Sequence, residues 1–272
     1  MSIERPVVLI HGLWMTPLSW EHWIERYERR GHDVLAPAWP GMEAGVEELR
    51  RDPSGIAHLG VAEIVDHYEH VIRGLDRAPI IMGHSFGGLF TQLLLDRGLG
   101  AAGVAIDSAA AQGVFTLPPS ELRSAFPVLK SPLNNHRAVA LSPEEFHYAF
   151  TNTLSEDESA AAYERYAVPG PGRVLFQAAL ANFNPRAATH VDYRNDDRAP
   201  LLFIAGGEDH VIPAKVDKAN AERYRKSEAL TEYKEFPGRV HFTIGQSGWE
   251  EVADYALDWA VEHARDSATV NA

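Results

Sequence analysis

The sequence predicts an α/β fold: a mainly parallel, doubly wound sheet of about six strands, with a block of helices inserted late in the chain. Short, β-branched apolar runs alternate with segments of helical spacing over residues 7–106. Over residues 113–198 that alternation stops, and helix signals follow one another. It resumes in the apolar run at residues 201–205 and the strand-like run at residues 231–236.

Each element has its own local reason. Val7-Val8-Leu9-Ile10 is wholly apolar and ends at His11-Gly12, as a buried parallel strand does. Residues 20–29 read as a helix, and Val34-Leu35-Ala36 before Pro37 reads as a second strand, closed by the turn at Pro40-Gly41. Ile64, Tyr68, Val71, Ile72 and Leu75 recur at helical spacing and lead into a strand at Ile80-Ile81-Met82. Residues 89–99 are the next predicted helix and residues 103–106 the next strand. In the inserted block, Ser142-Pro143-Glu144-Glu145 is a capping box with proline at the first helical position; Ser155-Glu156-Asp157-Glu158 repeats the box without it. The block is predicted to span residues 113–198, leaving 1–112 and 199–272 as the core. A last helix, residues 249–263, places Val252, Tyr255, Ala256, Trp259 and Ala260 on one face.

Composition narrows the function. The 272 residues carry a formal net charge of −13, which repels phosphate backbones and anionic membrane surfaces. Nucleic acid is therefore not an expected partner. There is no cysteine, so thiolate nucleophiles and thiolate metal sites are excluded. Residues 1–6 carry no cationic-then-apolar signal pattern, and the run at 7–10 is too short to span a bilayer. The expected location is the cytoplasm with no membrane partner, and the small, polar tail at residues 266–272 is expected to fray.

The stretch Gly83-His84-Ser85-Phe86-Gly87 lies directly between the apolar run at 80–82 and the one that starts at Leu89. It reads as strand, sharp turn, helix. A serine hydroxyl is a weak nucleophile at neutral pH and needs a base within hydrogen-bond reach and donors waiting for an oxyanion. A G-x-S-x-G turn presents the serine in a strained conformation, and the flanking glycines let strand and helix approach. Of the 13 histidines, His241 is the best base, because it lies in the loop between the last strand and the last helix. Asp209, past the run at 201–205, suits the role of holding that imidazole in one tautomer. Asp107, after the strand ending at Ile106, is a competing acid; His84, Glu208 and His210 are expected to be neighbours rather than participants.

The order Ser85, Asp209, His241, with the histidine near the chain end, resembles the α/β-hydrolase family. So do His11-Gly12 after the first strand, Pro40-Gly41 after the second, and the run Gly206-Gly207-Glu208-Asp209-His210-Val211-Ile212-Pro213. Members often begin with two antiparallel strands, yet only six residues precede Val7, so a trimmed sheet of six parallel strands is expected. The resemblance implies a serine hydrolase with a Ser85-His241-Asp209 triad and an acyl-enzyme, acting on a small to medium apolar ester. It further implies oxyanion donors at the backbone N–H of Leu13 and Phe86, with Trp14 the alternative to Leu13. Lactonase, thioesterase, amidase, C–C hydrolase, hydroxynitrile lyase and perhydrolase chemistry use the same residues, and a non-turnover ligand sensor is the contrasting class. Dehalogenases and epoxide hydrolases resemble the chain but use aspartate where Ser85 stands.

The inserted block is expected to roof the pocket and choose the substrate. His11, Trp14, Met15, Phe146 and Phe150 are the expected pocket lining. Neither H-E-x-x-H nor another ligand spacing occurs, so neither metal nor cofactor is expected. Activity is expected to rise through a histidine-like pKa near neutrality.

Overall fold

A computed structural model describes residues 5–265; the tail predicted to fray, residues 266–272, lies outside the described residues. The first part of the chain alternates as its hydrophobic pattern predicts: β1 (Val7–Ile10), α1 (Glu21–Arg29), β2 (Val34–Leu35), α2 (Val46–Arg51), α3 (Val61–Arg73), β3 (Ile80–His84), α4 (Phe86–Asp96) and β4 (Ala102–Ile106). Then come α5 (Pro119–Leu129), β5 (Ala138–Val139), α6 (Pro143–Phe150), α7 (Glu156–Tyr166), β6 (Gly170–Pro171) and α8 (Gly172–Ala179). The alternation returns with β7 (Leu201–Gly206), α9 (Ala214–Arg223), β8 (Thr231–Phe236) and α10 (Trp249–His263).

Six strands form one sheet in the order β2-β1-β3-β4-β7-β8, and every neighbouring pair is parallel. All residues of β1, β3, β4 and β7 are buried, because helices cover both faces, and so these runs carry no polar alternation. The chain goes outward from β1 to β2 and then returns to add β3 on the other side of β1. Such a reversal opens a crevice at the carboxyl ends of the two strands, where doubly wound sheets place their ligands. Ile10 pairs with Gly83 and His84 with Ile106, so the ends of β1, β3 and β4 share one rim.

Two of the helices between β4 and β7 start where the sequence marks them: α6 and α7 both open with a complete capping box. Hydrogen bonds tie this segment to α1, α2 and the loop after β1. Trp14 donates its indole N–H to Val139 (3.0 Å) and accepts from the Val168 N–H (2.9 Å). Arg50 donates to the carbonyls of Tyr163 and Ala167, and Tyr166 donates to Glu21 (2.6 Å). On α10, Val252, Ala256, Trp259 and Ala260 are buried, while Tyr255 packs edge-on against Phe236. No helix among the described residues is long and apolar enough to cross a membrane.

The start of α4 differs from its prediction by three residues, and the reason is steric. The helix expected to begin at Leu89 begins at Phe86, so Gly87 and Gly88 are helical despite glycine's poor propensity. A Cβ on Gly87 would lie 2.1 Å from the Ile10 carbonyl oxygen, and one on Gly88 would lie 2.8 Å from Ser108. Close approach of α4 to β1 therefore outweighs propensity. Gly87→Ala is expected to cost about 3 kcal/mol of unfolding free energy in urea titration, the upper end of overpacking penalties. A loss under about 1 kcal/mol would mean that the strand can shift to make room.

Candidate active site

Backbone strain concentrates on one rim of the sheet. Among the described residues, only Trp14 (φ 65°), Ser85 (φ 57°) and Asp107 (φ 45°) are non-glycine residues with positive φ. They follow β1, β3 and β4. Each such residue costs on the order of 1–3 kcal/mol, and strain of this kind gathers where a side chain must be aimed.

Ser85 carries the whole strand-to-helix turn in one residue, with φ 57° and ψ −119°. Glycines make room for it on two sides. A Cβ at Gly83 would meet the Gly87 carbonyl oxygen at 1.9 Å, and one at Gly12 would meet the Ser85 Cβ at 2.7 Å. The loop after β1 thus passes directly over the serine. Among the described residues, no acceptor takes the N–H of Leu13, Trp14 or Phe86. Phe86 is the first residue of α4, so its N–H adds to the positive end of that helix.

Asp209 and His241 come from the ends of β7 and β8, which pair as far as Gly206 and Phe236. His241 Nδ1 lies 2.6 Å from Asp209 Oδ2, and both side chains are wholly buried. Asp209 Oδ1 also accepts from the N–H groups of Val211 (2.6 Å) and Ile212 (2.9 Å), which fixes the carboxylate plane. Burial raises the Asp209 carboxyl, and these two donors oppose the rise. Burial also lowers His241 to about 3, so its imidazole is neutral at ordinary pH. With Nδ1 on the carboxylate, Nε2 is the basic nitrogen. It is buried and makes no hydrogen bond among the described residues, and none joins it to Ser85 Oγ. Hydrogen bonds of this type are often open in ligand-free sites and close on the bound substrate.

His84 and Phe150 hold the imidazole from its sides. His84 Nε2 lies 2.7 Å from the His241 carbonyl oxygen, and the two rings are 4.7 Å apart. Phe150 packs edge-on to His241 at 4.8 Å. Asp107 lies close by but is differently solvated. Its Oδ1 accepts only the Gly206 N–H (2.6 Å) and its Oδ2 is buried without a partner, while burial and the Asp209 charge push its carboxyl well up. Two neighbouring carboxyl groups do not both ionise readily, and Asp209 has three donors against one for Asp107. The charge belongs on Asp209.

A cavity of about 490 Å³ opens over Ser85, walled by Phe86, Ala109, Val114, Leu175 and Ile212 among others. Of the side chains expected to line the pocket, Trp14 is in its wall, and His11, Met15, Phe146 and Phe150 lie elsewhere. His11 is fully buried, stacks on Trp39 at 4.8 Å and bonds through both ring nitrogens, to the Gly12 carbonyl and the Trp39 N–H. It locks the loop after β1, and burial lowers its pKa to about 4. Met15 is buried in the core. Phe146 and Phe150 stack on each other at 4.8 Å, and Phe146 faces a separate cavity of about 260 Å³ beyond Trp14. Aromatic pairing claims them because a thin helical layer has little else to pack with. The rim is instead formed by Phe115 and Phe183, which are 77% and 85% exposed.

Sequence reading missed three features of the site. One is the cradle of His84 under His241, and another is Glu121 in the cavity wall. The third is a convergence of His84, Asp107 and His241, whose ligand-type atoms lie within 4.8 Å of one another. They stand at three separate strand ends, so no linear spacing announces them.

A sequence model of a family described as "Alpha/beta hydrolase family" matches residues 7–255. A search of curated proteins finds no match. Among solved structures, the chain is similar to a Paleococcus ferrophilus monoacylglycerol lipase (20% identity, 96% of this chain and 97% of that one, TM-score 0.65). It is similar to an extracellular α/β-hydrolase from a Paenibacillus species (20% identity, 97% and 100%, TM-score 0.66). A third is a pyrethroid hydrolase from Sphingobium faniae (17% identity, 94% and 97%, TM-score 0.63). At these identities the likeness is one of fold.

Proposed function

The chain belongs to the α/β-hydrolase family, and on that premise we propose that it is a serine esterase acting on apolar carboxylic esters. The observation that carries this reading is the buried His241–Asp209 pair at 2.6 Å on the same rim as the strained Ser85. Ser85 Oγ attacks the ester carbonyl carbon while His241 Nε2 takes its proton, and the Asp209 carboxylate steadies the imidazolium. The carbonyl oxygen, now negative, is received by the N–H groups of Phe86 and Leu13; Trp14 is the alternative to Leu13. Collapse of the tetrahedral intermediate passes the proton from His241 to the leaving alcohol and leaves an acyl group on Ser85. Water, deprotonated by His241, then attacks that acyl carbon, and the acid departs as the proton returns to Ser85.

Residues 113–198 act in this reading as a cap over the core, and their apolar side chains at the cavity favour an apolar acyl or alkyl arm. The three solved relatives named above are described as a lipase, an α/β-hydrolase and a pyrethroid hydrolase, which supports ester chemistry here as well. The direct test is labelling of Ser85 by a fluorophosphonate together with a burst of p-nitrophenol from p-nitrophenyl butyrate. Labelling without turnover would favour the ligand-sensor reading.

Burial changes the expected pH profile. A base must be neutral to accept a proton, so activity is lost as pH falls through its pKa in the folded enzyme. Burial holds His241 at about 3, well under the ordinary histidine value. Burial lowers the His241 pKa while the Asp209 carboxylate 2.6 Å from Nδ1 opposes that fall, so the acid limb of kcat/KM is expected below pH 6.5, rather than near neutrality as the sequence predicts. Rates on p-nitrophenyl butyrate with circular dichroism as a fold control measure it; a limb near the ordinary histidine value would show a solvated imidazole.

A further inference from the structure

Glu121 has no business in an apolar wall unless something meets it. It stands in the first turn of α5 and shares the cavity with Ser85, where it is the sole ionisable side chain of the lining. Its Oε2 is buried, and among the described residues it has no hydrogen-bond partner. Burial, and then the nearby Asp209 carboxylate, raise its pKa to about 8. Glu121 is partly buried, and the oxygen it turns inward is left without a partner; such an atom destabilises a fold, so a purely structural account leaves it unexplained.

Asn182 and Ser124, also in the wall, are already engaged. Asn182 accepts from the Gly113 N–H (2.7 Å) and donates to the Val114 carbonyl (2.7 Å), and Ser124 donates to the His210 carbonyl (3.2 Å). Thr116 sits half-exposed on the wall. Apart from the Ser85 hydroxyl, the buried wall therefore offers one unsatisfied polar group, set among alanine, valine and leucine. An ammonium group brings three donors and a full charge, and this wall could meet only one of them. A hydroxyl brings one donor and two lone pairs, and it pairs with a carboxyl in either protonation state.

We propose that Glu121 is a specificity-determining residue that hydrogen-bonds a hydroxyl group on the substrate, so that the preferred ester is apolar with one hydroxyl along its arm. This rests on the esterase reading only for the identity of the substrate as an ester. Binding and turnover are therefore tested separately.

The probes are ethyl hexanoate, a series of ethyl hexanoates carrying one hydroxyl at successive chain positions, and the matching amino-substituted esters. Affinities are measured by calorimetry on Ser85→Ala protein, which removes hydrolysis. One hydroxy ester is expected to bind about 10-fold or more tighter than the unsubstituted ester, the range of a single matched polar contact. Adding Glu121→Gln should keep that preference. Adding Glu121→Leu should abolish it, leave ethyl hexanoate bound at least as well, and raise the melting temperature. No preference for any hydroxy ester would overturn the proposal, as would its survival in the Glu121→Leu protein, a fall in melting temperature with leucine, or a preference confined to the amino esters. With the unmutated enzyme on the same esters, the preference should appear in KM with kcat little changed. Absent turnover alongside intact binding preference would sink the esterase reading and leave this one standing.

Discussion

Ser85→Ala protein is expected to hydrolyse p-nitrophenyl butyrate about 10⁵- to 10⁶-fold more slowly than the parent, with no fluorophosphonate label. Alanine removes only the hydroxyl and meets the same backbone strain at φ 57°. The melting temperature should therefore stay close to that of the parent, which separates lost chemistry from lost structure. In the proposed mechanism, what survives is the catalysis supplied by binding and by the backbone donors at Phe86 and at Leu13 or Trp14, which no side-chain change removes. A variant within about 100-fold of the parent, a gap of only ~2.7 kcal/mol in barrier, would mean that another group attacks the ester.

Asp209→Asn is expected to lower kcat by about 10⁴-fold, because an amide at Oδ2 favours the wrong tautomer of His241. The 2.6 Å contact to Nδ1 would persist with its donor reversed, and Nε2 would then carry the proton that it needs to accept. Asp107→Asn is the control. Asp107 bonds the Gly206 N–H and not the imidazole, so its amide should leave the rate within about tenfold, or ~1.4 kcal/mol of barrier. Equal losses in the two variants would mean that the two acids share the proton, and rate loss at Asp107 alone would transfer the role to it.

Much of the fold was legible because each strand is short, apolar and closed by a turn. Val7–Ile10 and Ile80–His84 are recognisable without any tertiary information, since a strand covered on both faces has no polar alternation to hide. The capping boxes at Ser142 and Ser155 mark their helices by the same local logic. The start of α4 was misread at Leu89, because Gly87 and Gly88 look like helix breakers until the Ile10 carbonyl and Ser108 stand against them. Pocket lining was the least legible. Phe146 and Phe150 have the chemistry of lining residues and pack on each other instead, while Glu121 looks like an ordinary solvated residue of a helix first turn.

Local chemistry alone determined the class of fold and the candidates at its rim, Ser85, Asp209 and His241, because turns and strand ends are short-range features. Tertiary packing decided the rest: which acid reaches the imidazole, how far burial holds His241 from its ordinary pKa, and which side chains face the cavity. Those depend on distances between segments up to a hundred residues or more apart and on the exclusion of water between them, neither of which is encoded in any local run of residues.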